Sequence, residues 1–257
     1  AHVAANWLQA PGERANPPAL PAICLLVSGG HTELILIEKP GKFRLLGSTL
    51  DDAAGEAFDK GARLLGLGYP GGPAIQRAAD GGTVDAFELP RAWLGDSNDF
   101  SFSGLKTALL RLVEPYRLPV EKAPPPAPGL FAEHRPPRFA DGLPVADLAA
   151  SFQEAIVDVL AVKAARAAVE YRAQSVLLAG GVAANRLLRQ RLQQEVERAF
   201  SGDAMPEVRF PPFAYCTDNA AMIAGAAHLA LLRGEQAGWD LDIDPRLPLR
   251  LAGAIAR

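Results

Sequence analysis

Glycine junctions, a few isolated carboxylates and a small number of imidazoles carry the chemistry available to this chain. The stretch LLVSGGHTELILI (25–37) climbs as an apolar run, breaks at Ser28-Gly29-Gly30-His31-Thr32, and resumes with Leu34 and Leu36 against Glu33 and Ile35. A strand, two glycines and a second strand make a hairpin whose tip exposes backbone N–H groups. Glycine lets an anion approach that backbone closely, and Ser28 or Thr32 can donate further hydrogen bonds, so a nucleotide phosphate is a natural guest. An ordinary hairpin turn is the competing reading. Two further junctions, GYPGGP (68–73) and LLAGGVAAN (177–185), precede helical patterns. The second hands a buried strand to a helix start at Gly180-Gly181, where anions bind readily, and the amide of Asn185 suits a ribose or a base edge. As a set, the three junctions point to a nucleotide held in a cleft.

The carboxylates allow more than one role. Asp59 and Glu56 are three apart in a helical pattern and share a face, which suits either ribose hydroxyls or solvent. Asp218, in CTDNAAMIA, falls in the first turn of a helix, where capping and the helix dipole favour a carboxylate. With His2 it would make a partial nitrogen and oxygen metal set, although two ligands do not complete a site. His31 can contact a ligand or fix its turn; His134 and His228 are expected to be structural or at the surface. Cys216 lies near Asp218, but nothing supplies a base to activate it as a nucleophile. Arg186, Arg189 and Arg191 form one local basic cluster, and Lys106 and Arg111 a second. Either could meet RNA phosphates or form a solvated helix face. The H-E-x-x-H pattern of a zinc protease is absent.

The elements that must position these groups alternate. Residues 22–50 predict three strands, the second and third joined by a Pro-Gly turn. Residues 51–68 predict a helix started by Asp51 or Asp52, and GYPGGP feeds a short helix. SFSGLKTALLRLVEPY predicts a helix capped by Ser103 and stopped by Pro115. VADLAASFQEAIVDVLAVKAARAAVEY predicts a long amphipathic helix, SVLLA a buried strand, RLLRQRLQQEVERAF a polar-faced helix, EVRFPP a short strand and TDNAAMIAGAAHLALLRG a closing helix. Strands leading repeatedly into helices indicate an α/β fold with a largely buried central sheet. The proline-dense segment 115–144 is expected to be an extended surface excursion.

At 257 residues, 49% apolar and 21% charged, the chain has material for a full core. A formal charge of −3 excludes a globally basic nucleic-acid binder, so any RNA contact must come from a local patch. Two cysteines, Cys24 and Cys216, give no disulfide framework and fit a reducing cytoplasm. No apolar run reaches the length of a membrane span. The opening HVAANWL resembles the middle of a helix, so the sequence is expected to begin partway through a longer protein.

Six ordered blocks, LLVSGGHTELILI, LLGSTLDDAAGEAFDKGARLLGLGYPGGPAI, FSFSGLKTAL, AASFQEAIVDVL, LLAGGVAANRLLR and CTDNAAMIAGAAH, together resemble the TsaD family of tRNA adenosine threonylcarbamoyltransferases. The resemblance implies an actin-like, sugar-kinase-like ATPase (ASKHA) fold of two lobes with the amino-terminal half-lobe missing. Residues 1–21 would be the remnant of a metal-site helix and its linker, 22–144 a nucleotide-binding segment passing from the first lobe to the second, and 145–257 the segment completing the fold. The implied reaction moves a threonylcarbamoyl group from threonylcarbamoyl-AMP to the exocyclic amine of the adenosine 3′ of the anticodon. Carried over block by block, Leu26, Val27, Ser28, Gly29 and Gly30 resemble the hairpin that contacts the intermediate. Asp59, Gly72 and Asn185 resemble nucleotide contacts, and His2 and Asp218 resemble ligands of a divalent metal, usually Fe(2+). The family implies tRNA and TsaB-like and TsaE-like subunits as partners. A related carbamoyltransferase acting on a small molecule or a maturation factor, and a non-catalytic actin-like scaffold, are the alternatives; a scaffold would be expected to have lost Ser28, Asp59, Asn185 and Asp218.

Overall fold

The computed structural model describes residues 1–9, 12, 16–119, 136–200, 204–239 and 242. Five strands form one sheet in the order β3-β2-β1-β4-β5, comprising β1 (Ala22–Val27), β2 (Thr32–Lys39), β3 (Lys42–Ser48), β4 (Ser175–Ala179) and β5 (Glu207–Arg209). The first three form the expected antiparallel meander; β1 then pairs in parallel with β4, and β4 with β5. Residues from 22–50 and from 175–209 thus share one sheet.

Strand periodicity sorts the central side chains onto two covered faces. Ile23, Leu25, Val27, Leu34, Leu36, Val176 and Leu178 enter the large core beneath the helices. Cys24, Ile35, Ile37, Leu177 and Ala179 face the other way, where Val3 and Trp7 of a short 3-10 helix (His2–Trp7) pack on them. Burial on both sides is why β1, and β4 after Ser175, are apolar rather than alternating.

The helices are α1 (Ala54–Leu64), α2 (Gly71–Ala78), α3 (Ser103–Val113), α4 (Val145–Glu170), α5 (Arg186–Ala199) and α6 (Ala220–Leu232). α4 departs from its expected amphipathic character. Neighbours surround it, and Ser151, Gln153, Glu154 and Lys163 are buried along with its apolar residues. Gly61 of α1 gives the Phe152 ring room, since a Cβ there would sit 2.5 Å from it; Phe58 meets the same ring edge-on.

Two helix starts also differ from expectation. Neither Asp51 nor Asp52 caps α1; Thr32 Oγ1, fully buried at the start of β2, accepts the Ala54 N–H at 2.8 Å instead. Asp51 serves α3, accepting from the Phe102 N–H, the Ser103 N–H and both the Ser101 and Ser103 hydroxyls, so Ser103 is held by a cap from outside its own helix. Residues 120–135 of the proline-dense excursion, with His134, lie outside the described residues. Its base is closed by antiparallel hydrogen bonds from Leu118 N to Arg138 O and from Ala140 N to Tyr116 O. α6 is apolar all round yet packs chiefly on the 3-10 helix, leaving Ile223, Leu231 and Leu232 more than half exposed. None of the described helices is long and apolar enough to cross a membrane.

Candidate nucleotide and metal site

The carboxyl ends of two adjacent parallel strands are where α/β sheets bind ligands, and both conspicuous glycine junctions lie there. Leu26 of β1 is paired with Ala179 of β4, so Ser28-Gly29-Gly30 and Gly180-Gly181 leave the sheet side by side. Their closeness depends on missing side chains. Gly180 has φ +90°, and a Cβ on it would lie 2.3 Å from the Val27 carbonyl oxygen; a Cβ on Gly55, in the first turn of α1, would lie 2.4 Å from the Ser28 carbonyl oxygen. The hairpin is thereby clamped between the start of α1 and the end of β4.

The hairpin tip is built to present backbone. Ser28 N donates to His31 O at 2.8 Å, and Ser28 Oγ accepts from His31 N at 3.1 Å. The Ser28 carbonyl is taken by Gly55 N at 3.2 Å. Gly29 and Gly30 are exposed, a Cβ on either would meet nothing within 4 Å, and no described protein acceptor takes their N–H groups. Gly181 is equally open. The free N–H groups of Gly29 and Gly30, beside a second glycine turn, suit a phosphate. Leu26 and Val27, the two predicted contacts before the turn, lie at the end of β1, with Val27 buried in the core.

The remaining predicted nucleotide contacts have structural duties as well. Asp59 Oδ1 accepts from Gly71 N at 2.7 Å, which fixes the start of α2 against α1 and leaves the adjacent Gly72 open. Glu56 does not join it, pairing instead with Lys60 at 2.9 Å. Asn185 is buried; its Oδ1 accepts from Leu188 N as the α5 cap, and its Nδ2 donates to Gln153 Oε1 at 2.8 Å. Its amide is therefore committed within the fold, so its position shapes the junction more than its side chain offers a free reading edge. Gln153 on α4 and Gln76 on α2, which accepts from Arg186 N at 2.8 Å, are partners that sequence reading missed. Each lies in a helix pattern with no local signal of its distant contact.

The structure brings His2 and Asp218 together, with Nε2 3.3 Å from Oδ1. Two donors bound to one first-row metal at ~2.1 Å each lie about 3.0–3.4 Å apart for angles between square and tetrahedral. His2 Nδ1 is buried without a partner. Burial lowers the His2 pKa, with Asp218 opposing and His31 acting in the same direction as burial, so the neutral, metal-binding imidazole is favoured. Asp218 stays mostly exposed, because Asn219 caps α6 by accepting from Met222 N. The two residues fit as part of a metal site; among the described residues no cluster of three or more His, Cys, Asp or Glu forms one. Cys216 is fully buried and burial raises its thiol pKa, consistent with no nucleophilic role.

One basic cluster dissolves in three dimensions. Arg191 pairs with Glu154 and Asp158, and Arg189 turns inward to Ala183 O and Pro211 O, leaving Arg186 as the exposed cation of the three. Of the two alternatives for 186–191, a phosphate-binding face and a solvated face, neither is formed by all three arginines, since Arg189 and Arg191 turn to partners within the fold. Arg111 is exposed on α3 and Lys106 half-buried.

The chain is also similar to known proteins. A model of the family described as TsaD, tRNA N6-adenosine threonylcarbamoyltransferase, matches residues 1–225. A tRNA N6-adenosine threonylcarbamoyltransferase of Thermomicrobium roseum is 58% identical over 96% of this chain and 66% of its own length. That of Dehalococcoides mccartyi strain BAV1 is 47% identical over 96% of this chain and 64% of its own. The chain thus spans about two thirds of the length of these relatives. The crystal structure of T. kodakarensis HypF superposes with a TM-score of 0.55 at 17% identity, over 82% of this chain and 34% of that one, a likeness of fold alone. With its strand-end glycine junctions and the matched stretch running through both, the chain belongs to the TsaD family of tRNA N6-adenosine threonylcarbamoyltransferases.

Proposed function

We propose that this chain supplies the adenylate-binding side and part of the metal site of an enzyme that transfers threonylcarbamoyl from threonylcarbamoyl-AMP to N6 of the adenosine 3′ of the anticodon, in tRNAs reading ANN codons. The observation that carries the reading is the pair of glycine turns, Gly29-Gly30 and Gly180-Gly181, side by side at the carboxyl ends of β1 and β4 in a chain of this family, with Gly29, Gly30 and Gly181 open and Gly180 packed on β1. The donor is an already activated mixed anhydride, so the protein must chiefly position it and stabilise charge. N6 attacks the carbamoyl carbon, the bond from that carbon to the phosphate oxygen breaks, and AMP leaves with the electron pair. The Gly29 and Gly30 N–H groups are available to the departing phosphate, Ser28 Oγ holds the turn through His31 N, and the proton lost from N6 passes to solvent or to the leaving phosphate.

Asp59 of α1 and Gly72 at the start of α2, with the junction that Asn185 braces, line the nucleoside side in this reading. His2 and Asp218 would hold Fe(2+) or another divalent metal, which supplies Lewis-acid polarisation and orientation when bound. tRNA as acceptor, subunits resembling TsaB and TsaE as partners, and a cytoplasmic location follow from the family resemblance. The two buried free cysteines are compatible with that location. The test is mass-spectrometric quantification of threonylcarbamoyladenosine in unmodified tRNA. This chain is incubated with threonylcarbamoyl-AMP, with and without the portion of a relative that it does not span. Modification is expected to be weak or absent alone and restored in trans; no modification under either condition would overturn the reading.

A further inference from the structure

Arg189 occupies a place that neither the phosphate chemistry nor the core explains. Its Nε donates to Ala183 O at 2.6 Å, within the junction that ends at Asn185. One Nη donates to Pro211 O at 2.8 Å and lies 3.2 Å from Cys216 Sγ, two residues before Asp218. Its guanidinium also lies against two rings, 4.2 Å from the Phe213 centroid and 5.4 Å from that of Phe210. The segment 211–216 otherwise bonds mainly to itself, as in Tyr215 N to Pro212 O and Cys216 N to Phe213 O. A planar fork that satisfies several acceptors at once while its faces meet aromatic rings is a job lysine cannot fill.

We propose that Arg189 is a positioning residue that pins the loop leading to Asp218 against the Gly180–Asn185 junction, so that the candidate metal pair and the nucleotide turns are held as one site. The proposal rests on the site reading above for its purpose, but not for its geometry. Without the arginine, the segment 211–216 loses its side-chain hydrogen bonds to the junction and keeps the core packing of Phe210 and Cys216, while α6 still packs on the 3-10 helix. Asp218 would then be held less firmly to the junction while the sheet stays intact.

The two cysteines supply a test that separates local release from unfolding, since both are fully buried, Cys24 in the sheet and Cys216 beside Arg189. The full chain carrying Arg189→Gln or Arg189→Lys is labelled with a chromogenic aromatic disulfide, and the modified thiol is assigned by peptide mass. In both variants Cys216 is expected to react about tenfold faster or more than in the parent, with Cys24 still protected. Cobalt(II) absorption is titrated in parallel; the variants are expected to bind about tenfold more weakly, with an altered visible band, while AMP affinity changes less. Cys216 remaining as protected as in the parent would overturn the proposal. So would Cys24 and Cys216 becoming reactive together, or full rescue by lysine. If cobalt binds neither parent nor variant, the metal reading fails while the thiol result still decides the positioning role.

Discussion

The glycines of the site should divide into two kinds on substitution, and Gly180→Ala against Gly29→Ala shows the division most sharply. Gly180 adopts φ +90° and ψ 172°, a region essentially reserved for glycine, so a side chain there costs ~1–3 kcal/mol in backbone strain. Its Cβ would also lie 2.3 Å from the Val27 carbonyl oxygen, and forcing the ends of β1 and β4 apart adds ~1–3 kcal/mol more. Together these lower the unfolding temperature by about 5–20 °C in a chain of this size. At Gly29 φ lies outside the left-handed region and a Cβ meets no atom within 4 Å, so Gly29→Ala should change stability by no more than ~0.5 kcal/mol. Its methyl group instead occupies space that a phosphate must enter. Losing even one charge-assisted hydrogen bond weakens binding by about 10–100-fold. Thermal unfolding and calorimetric titration with AMP check the pair. The reasoning is refuted if Gly180→Ala unfolds at the parental temperature, or if Gly29→Ala is as unstable as Gly180→Ala or binds AMP as the parent does.

Asp51 feels burial that raises its pKa, but the Ser101, Phe102 and Ser103 hydrogen bonds outweigh it and hold the carboxyl below its ordinary 3.8. Its stabilisation is complete above that value and lost as the pH falls through the lower folded one, so circular dichroism during acid titration should show Asp51→Asn flattening the fall below about pH 4. Arg191→Met strands the buried Glu154 carboxylate and leaves Asp158 with Arg91 alone. It should cost about 2–4 kcal/mol in denaturant titration, and Glu154→Gln should cost less. Ile223→Lys and Leu231→Lys alter side chains that are 57% and 63% exposed, so the unfolding temperature should move by no more than about 2 °C while light scattering shows less self-association.

The sequence revealed most where chemistry and periodicity coincide. The apolar run before Ser28, the glycines after it and the strand that follows carry their own geometry, and SVLLAGG repeats that signature; the pairing of the two turns came through the parallel register of β1 with β4. The His2 and Asp218 contact could be anticipated from residue type, although 216 positions separate them. What stayed illegible was long-range polar pairing. Asp51 sits where a local cap for α1 belongs yet caps α3, because Thr32 already satisfies Ala54. Arg186, Arg189 and Arg191 look alike in a helix pattern, but only the fold places carboxylates opposite Arg191 and carbonyls with aromatic rings opposite Arg189. The α4 pattern reads as amphipathic, but its polar residues find buried partners in other elements rather than solvent.

The central claim is that an adenylate sits on the two glycine turns at the ends of β1 and β4. Amide chemical-shift mapping of the isotope-labelled chain during titration with AMP tests it most directly. The account predicts saturable shifts at Gly29, Gly30, Gly55 and Gly180 to Asn185, with the opposite end of the sheet around Ser175 and Glu207 unmoved. Shifts confined to that opposite end, or none at saturating AMP, would contradict it.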